Sequence, residues 1–119
     1  MLIEFIKPDF VFENEAGCLS QLVHDGYRQI NILKTKKGVL RGGHYHKVCK
    51  EAFYLISGSV KVTFTHQGQA EQASFTEGDF FCVYPYVSHS MFFPSDCTMV
   101  QLYDPCVEQE DGKKDIYVE

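Results

Sequence analysis

Three histidines and one carboxylate carry the chemistry that can be read from this chain: His44, His46, Glu51 and His89. On a β-strand, side chains two apart share a face, so His44 and His46 point the same way. Glu51 follows His46 closely enough for the chain to turn and return on the neighbouring strand. Its parity groups it with Phe53 and Leu55, which belong to an internal face. Imidazoles and a carboxylate gathered inside a barrel are costly to desolvate unless something compensates them. One divalent transition metal does so, and this ligand set suits Zn, Fe, Mn, Ni or Co. The fourth candidate, His89, opens a strand after Pro85 and sits among apolar neighbours.

The elements that must position these residues read as strands. Asn14–Gly17, Asp25-Gly26, Lys37-Gly38, Gly42-Gly43, Ser57-Gly58, Gln67-Gly68, Glu77-Gly78 and Pro94–Asp96 punctuate the chain with turn signals. That rhythm predicts an all-β sandwich or barrel. Ser59–Thr65 alternates cleanly, with Val60, Val62 and Phe64 on one face and Lys61, Thr63 and Thr65 on the other. Further strands are expected at Leu2–Ile6, Cys18–Val23, Arg28–Lys34, Gly43–Lys47, Ala52–Ile56, Glu71–Phe75, Phe80–Tyr84, Ser88–Phe93 and Thr98–Tyr103. No helical period is visible. A short last strand is expected at Asp115–Val118, paired with another subunit.

The totals agree with one domain over residues 1–119. Ten Phe and seven Tyr without Trp favour sheet. A net charge of −5 with scattered cations argues against a nucleic-acid partner, and no run approaches the roughly 20 apolar residues that span a bilayer. The five cysteines are irregularly spaced and form no CxxC pair, so they read as reduced thiols in a cytoplasmic protein. Met1–Asp9, with Glu4, Lys7 and Asp9, does not read as a signal peptide. His24 and His66 flank turn signals and read as solvated turn residues. Cys49 reads as a quiet thiol between the ligand strands.

The spacing Gly38, five residues, His44, one, His46, four, Glu51, six, Gly58 resembles the first cupin motif at every defined position. Gly78, Pro85 and His89 resemble the second in a looser form, with Tyr86 at the glycine after the proline and Phe93 at the asparagine that often closes it. The resemblance, over roughly Gly38–Tyr103, implies a cupin-type double-stranded β-helix, or jelly-roll barrel, with the metal in its mouth. Arg41–Lys47 (RGGHYHK) and Val87–Asp104 resemble the nucleotide-sugar 3,4-ketoisomerases, and the His-x-His-x4-Glu spacing resembles the cupin domain of capsular-polysaccharide enzymes. An Asp-x-Arg-Gly-like opening turn, frequent in such proteins, is Asn14-Glu15-Ala16-Gly17 here.

These likenesses imply an isomerase or epimerase acting on a nucleotide-linked keto-sugar in polysaccharide or deoxysugar biosynthesis. Arg41 is the candidate grip on phosphate or a sugar oxygen, with Lys47 supporting it; otherwise both are solvated surface charges. His44 and His46 are candidate acid–base groups, the role the resemblance gives them in ketoisomerases working without a metal. Glu51 favours the metal reading instead. A histidine that lends its lone pair to a metal cannot also carry the proton on that nitrogen, so Tyr45, Tyr84 or a metal-bound water would share the proton work. Two alternatives stay open: an Fe(II)-dependent dioxygenase, and a non-catalytic domain that holds a small molecule. Open barrel edges invite a homodimer, with Leu2–Ile6 adding to a neighbour's sheet.

Overall fold

The computed structural model describes residues 2–118. Its strands are β1 (Ile3–Phe5), β2 (Phe10–Asn14), β3 (Gly17–Gln21), β4 (Gln29–Thr35), β5 (Leu40–Tyr45), β6 (Lys50–Ser57), β7 (Ser59–His66), β8 (Gln69–Thr76), β9 (Phe80–Val83), β10 (Ser88–Phe92), β11 (Cys97–Asp104) and β12 (Tyr117–Val118). Two five-stranded sheets, ordered β1-β9-β6-β11-β4 and β12-β5-β10-β7-β8, form the jelly roll, and β2–β3 is a separate hairpin. The described residues contain no helix.

The inner faces follow the period-2 alternation that burial on one side demands. Phe53, Leu55, Phe81, Val83 and Met99 of the first sheet meet Val60, Val62, Phe64, Phe75 and Met91 of the second. The rings of Phe75 and Phe81 stack across the sheets at 3.8 Å. The outer face of the first sheet is also covered: Ala52, Phe80, Cys82 and Leu102 pack against Ile6, Leu22, Val23 and Tyr27. That cover ends β3 at Gln21, because Leu22 and Val23 leave the strand to join it.

Gly42 and Gly58 permit close approach of the backbone. At Gly42 (φ +100°) a Cβ would meet the His89 carbonyl oxygen at 2.6 Å, beside the bulge between His89 and Ser90. At Gly58 (φ +82°) a Cβ would meet the Asp96 carbonyl oxygen at 2.0 Å. Both positions also need the left-handed backbone that glycine adopts without strain.

Two expectations change. Phe10–Asn14 forms a strand that the turn signals did not reveal, pairing with β3 across the Asn14–Gly17 turn. The Leu2–Ile6 segment pairs on one side with β9 of its own chain, and β1 stands at the edge of its sheet. The last strand, expected to pair with another subunit, pairs with β5 of its own chain: Tyr117 lies opposite Tyr45 and Val118 opposite His44.

Candidate active site and metal centre

The mouth of the barrel is built by three strands. β5 carries His44 and runs into His46, β6 carries Glu51 as its second residue, and β10 places His89 directly opposite His44 in register. Glu51 is paired on one side with Val83 of β9 and on the other with Tyr103 of β11. One donor atom from each of His44, His46, Glu51 and His89 lies within 4.8 Å of the others. His46, Glu51 and His89 are at most 2% exposed, while His44 is half-buried.

Hydrogen bonds orient each buried member. His46 Nδ1 donates to the Asp115 carbonyl at 2.6 Å, and His89 Nδ1 donates to the Val87 carbonyl at 3.2 Å. A carbonyl can only accept, so both rings hold their proton on Nδ1 and turn Nε2 inward. Both face Glu51 Oε1: His46 Nε2 and His89 Nε2 each lie 3.0 Å from it. Its other oxygen accepts from Gln101 Nε2 at 2.7 Å, and Gln101 is held in turn by Asn31 at 2.9 Å.

The contact of His89 Nε2 with Glu51 is close but out of line for a hydrogen bond, so that nitrogen is buried without a hydrogen-bond partner. A buried, unsatisfied nitrogen facing a carboxylate, with its ring anchored through Nδ1, is what a metal-ligating imidazole requires. The donor set therefore fits a divalent transition metal: His46, His89 and Glu51 through inward atoms, with His44 beside them.

The charges agree with this clustering. Burial alone would raise the Glu51 carboxyl, yet His46 and His89 hold it well below the usual carboxylate range. Burial would lower His46, but the bond to Glu51 and the Asp115 carbonyl raise it above its ordinary 6.5. His44 is lowered, by burial and by His89, and so is a neutral imidazole at neutral pH.

A pocket of about 380 Å³ opens over His44, Glu51 and His89. Leu33, Leu40, Phe53 and Met91 give it apolar walls, and Arg41 stands in its lining. Arg41 Nε donates to the buried Thr35 hydroxyl at 2.9 Å, which leaves the two terminal nitrogens as the part able to meet an anion.

Three expected site residues lie elsewhere. Tyr45 follows His44 by one residue and so projects to the opposite face, stacked between Tyr86 and Tyr117. Tyr84 is exposed and donates to Glu4 at 3.0 Å; burial of its ring and that carboxylate push its pKa up to about 12. Lys47 Nζ sits 4.1 Å from the centre of the Tyr117 ring, outside the pocket lining. The tyrosine that does reach the site is Tyr103, whose ring meets His46 edge-on at 5.4 Å. Burial and the adjacent Glu51 raise its pKa, keeping the hydroxyl protonated. Tyr103, Gln101 and Asp115 belong to no motif; only the pairing of β11 with β6 and the return of the tail bring them in.

The remaining singled-out residues are structural. Cys49 is fully buried, its thiol directed at the Pro105 carbonyl (3.3 Å) and raised to about 12 by burial and by Asp115. It is no thiolate ligand. Tyr86 takes a φ of 70°, a glycine-like conformation. Its N–H donates to the His46 carbonyl at 2.7 Å, its carbonyl accepts from His66, and its ring stacks on Tyr45. These contacts offset a cost of about 1–3 kcal/mol. His24 bonds Asp9 at the surface.

The fold is a cupin-type jelly roll. Residues 13–96 match the model of the polysaccharide biosynthesis C-terminal domain, and the chain belongs to that family. No curated protein matches the chain in sequence. Among solved structures, it is similar to the sugar 3,4-ketoisomerase QdtA from Thermoanaerobacterium thermosaccharolyticum in complex with TDP. That match has 17% identity and a TM-score of 0.82 over 99% of this chain and 88% of that one. The TDP-fucose-3,4-ketoisomerase WlaRA from Campylobacter jejuni matches at 13% identity and a TM-score of 0.80, covering 100% and 90%. The dTDP-4-dehydrorhamnose 3,5-epimerase from Sulfolobus tokodaii matches at 17% and 0.70, covering 87% and 75%. At these identities the likeness establishes the fold.

The His46–Glu51 pair predicts a pH signature for the metal-free protein. A histidine raised on folding contributes stability that is complete below its ordinary 6.5 and is lost as pH rises through its raised value. Glu51, lowered on folding, contributes above its ordinary 4.5 and loses that contribution as pH falls through its depressed value. The gap in unfolding free energy between the protein and its His46→Gln variant therefore shrinks as pH climbs above 6.5. Urea titrations over that range check it, and a gap that widens contradicts the pairing.

Proposed function

We propose that this chain binds one divalent transition metal through His46, Glu51 and His89, with His44 beside it, and isomerises or epimerises a nucleotide-linked keto-sugar. The observation that carries the reading is the Nε2 of buried His89, which has no hydrogen-bond partner and is aimed with His46 at one oxygen of Glu51 on the floor of an accessible pocket. Support for the substrate class comes from the family, whose description is polysaccharide biosynthesis. It comes also from neighbours described as acting on TDP-linked sugars, one of them in complex with TDP-4-keto-6-deoxyglucose.

A proton beside a ketone is hard to remove because negative charge develops on the carbonyl oxygen. A bound divalent ion supplies a Lewis acid for that oxygen. His46 and His89 hold their Nδ1 protons on backbone carbonyls and turn Nε2 towards Glu51, so neither is arranged to exchange protons with a substrate. His44 lines the pocket as a neutral imidazole and is the group suited to take a proton from one carbon and return it to the next. Arg41, fixed through Nε, grips phosphate with its terminal nitrogens. The apolar walls exclude water from the reacting carbons.

The test is incubation with TDP-4-keto-6-deoxyglucose in D2O, following by proton NMR the signal beside the ketone. Exchange of that proton for deuterium is expected. His44→Asn should slow it roughly 100-fold or more, and Arg41→Ala should raise KM more than it lowers kcat. Binding without exchange would instead make the chain a sugar-nucleotide-binding module, and neither binding nor exchange would overturn the substrate class.

We also propose a cytoplasmic homodimer. The free cysteines suit a reducing compartment, and no helix among the described residues is long and apolar enough to cross a membrane. Phe10, Val11, Phe12 and Leu19 of the β2–β3 hairpin are each more than half exposed. An isolated hairpin is marginal in water, so a second copy covering it would stabilise both. Light scattering should give twice 13.6 kDa; a mass of 13.6 kDa at micromolar concentration refutes the dimer.

A further inference from the structure

The tail beyond β11 returns to the site at Asp115, two residues before β12 pairs with β5. Val107 N–H donates to Gln29 Oε1 at 3.0 Å, Gln109 N–H to the Lys113 carbonyl at 2.8 Å, and Asp115 N–H to the Val107 carbonyl at 2.8 Å. The tail thus folds into a small hairpin that delivers Asp115 to the turn between β5 and β6. There Asp115 is 2% exposed. Its carboxylate accepts three successive backbone N–H groups, from Lys47 at 3.0 Å and from Val48 and Cys49 at 2.8 Å each. Its own carbonyl accepts the proton of His46 Nδ1 at 2.6 Å.

These two attachments belong together. The carboxylate pins the turn that follows His46, and so fixes where the Asp115 carbonyl sits. The carbonyl in turn decides which ring nitrogen of His46 keeps its proton. Three N–H donors also hold the buried carboxylate ionised, lowering its pKa against the effect of burial. Among the described residues, Asp115 bonds both the His46 ring and the backbone of the 47–49 turn. We infer that Asp115 is a positioning residue, by which the C-terminal tail sets the tautomer and aim of His46 and so completes the centre.

The structural half of this inference concerns the imidazole alone; its functional consequence rests on the metal reading given above. Such outer partners of metal-ligating histidines are typically worth about 10–100-fold in affinity.

The experiment compares the full-length chain with Asp115→Asn, Asp115→Ala and Gln29→Ala. The last variant loosens the start of the tail but leaves both Asp115 attachments in place. Nitrogen-15 NMR of the metal-free proteins at alkaline pH reads the His46 tautomer, and titration with cobalt(II), followed by its visible absorption, reads affinity. The wild type and Gln29→Ala should show a single Nδ1–H tautomer. Asp115→Asn should show a mixture and bind cobalt roughly 10–100-fold more weakly. If Asp115→Ala does not fold, the near-isosteric Asp115→Asn decides. An unchanged tautomer in Asp115→Asn, or an equal loss in Gln29→Ala, overturns the inference. A shifted tautomer in a protein that never binds cobalt upholds the positioning role and refutes the metal reading instead.

Discussion

Everything at the mouth of this barrel is arranged around one buried carboxylate. Glu51 is 1% exposed, and an ionised carboxylate taken out of water costs several kcal/mol unless its lone pairs are met. Gln101 meets one oxygen and the two inward imidazole nitrogens crowd the other. Each of those partners is held by another: Gln101 by Asn31, His46 by Asp115, His89 by Val87. The result is a polar cluster whose members cannot rotate independently, set in an apolar core of phenylalanines. Such rigidity suits a centre whose donors must converge on one point before anything binds.

The jelly roll makes that convergence possible. Residues far apart in the chain become neighbours because β5 lies between β10 and β12, and β6 between β9 and β11. Pairing puts His89 against His44 and Tyr103 against Glu51, so the register that buries the core also assembles the site. Gly42 lets β5 approach the His89 backbone, and Gly58 lets the next turn close over Asp96. Both glycines are thus steric requirements of the same geometry that brings the three histidines and Glu51 together.

What could be read from the amino-acid order follows from locality. His44, His46 and Glu51 lie within eight residues, and strand parity alone predicts that they share an inward face. The β7 alternation is equally local, and Val60, Val62 and Phe64 are indeed buried. Tyr45 shows how an adjacent residue misleads: next to two site histidines, it necessarily faces away from them. Strand β2 escaped notice because Phe10, Val11 and Phe12 are exposed on both faces and show no alternation. Tyr103, Gln101 and Asp115 were invisible for the opposite reason. Each is fully determined by pairing between distant segments, and nothing near them in sequence marks the role.

Metal content of the untagged protein, measured by plasma mass spectrometry beside a His46→Ala control, tests the central claim most directly. Close to one transition-metal ion per chain, lost in the control, is the result this account predicts. A protein that carries no metal even after reconstitution would contradict it, leaving His44 and His46 as a bare acid–base pair of the ketoisomerase kind.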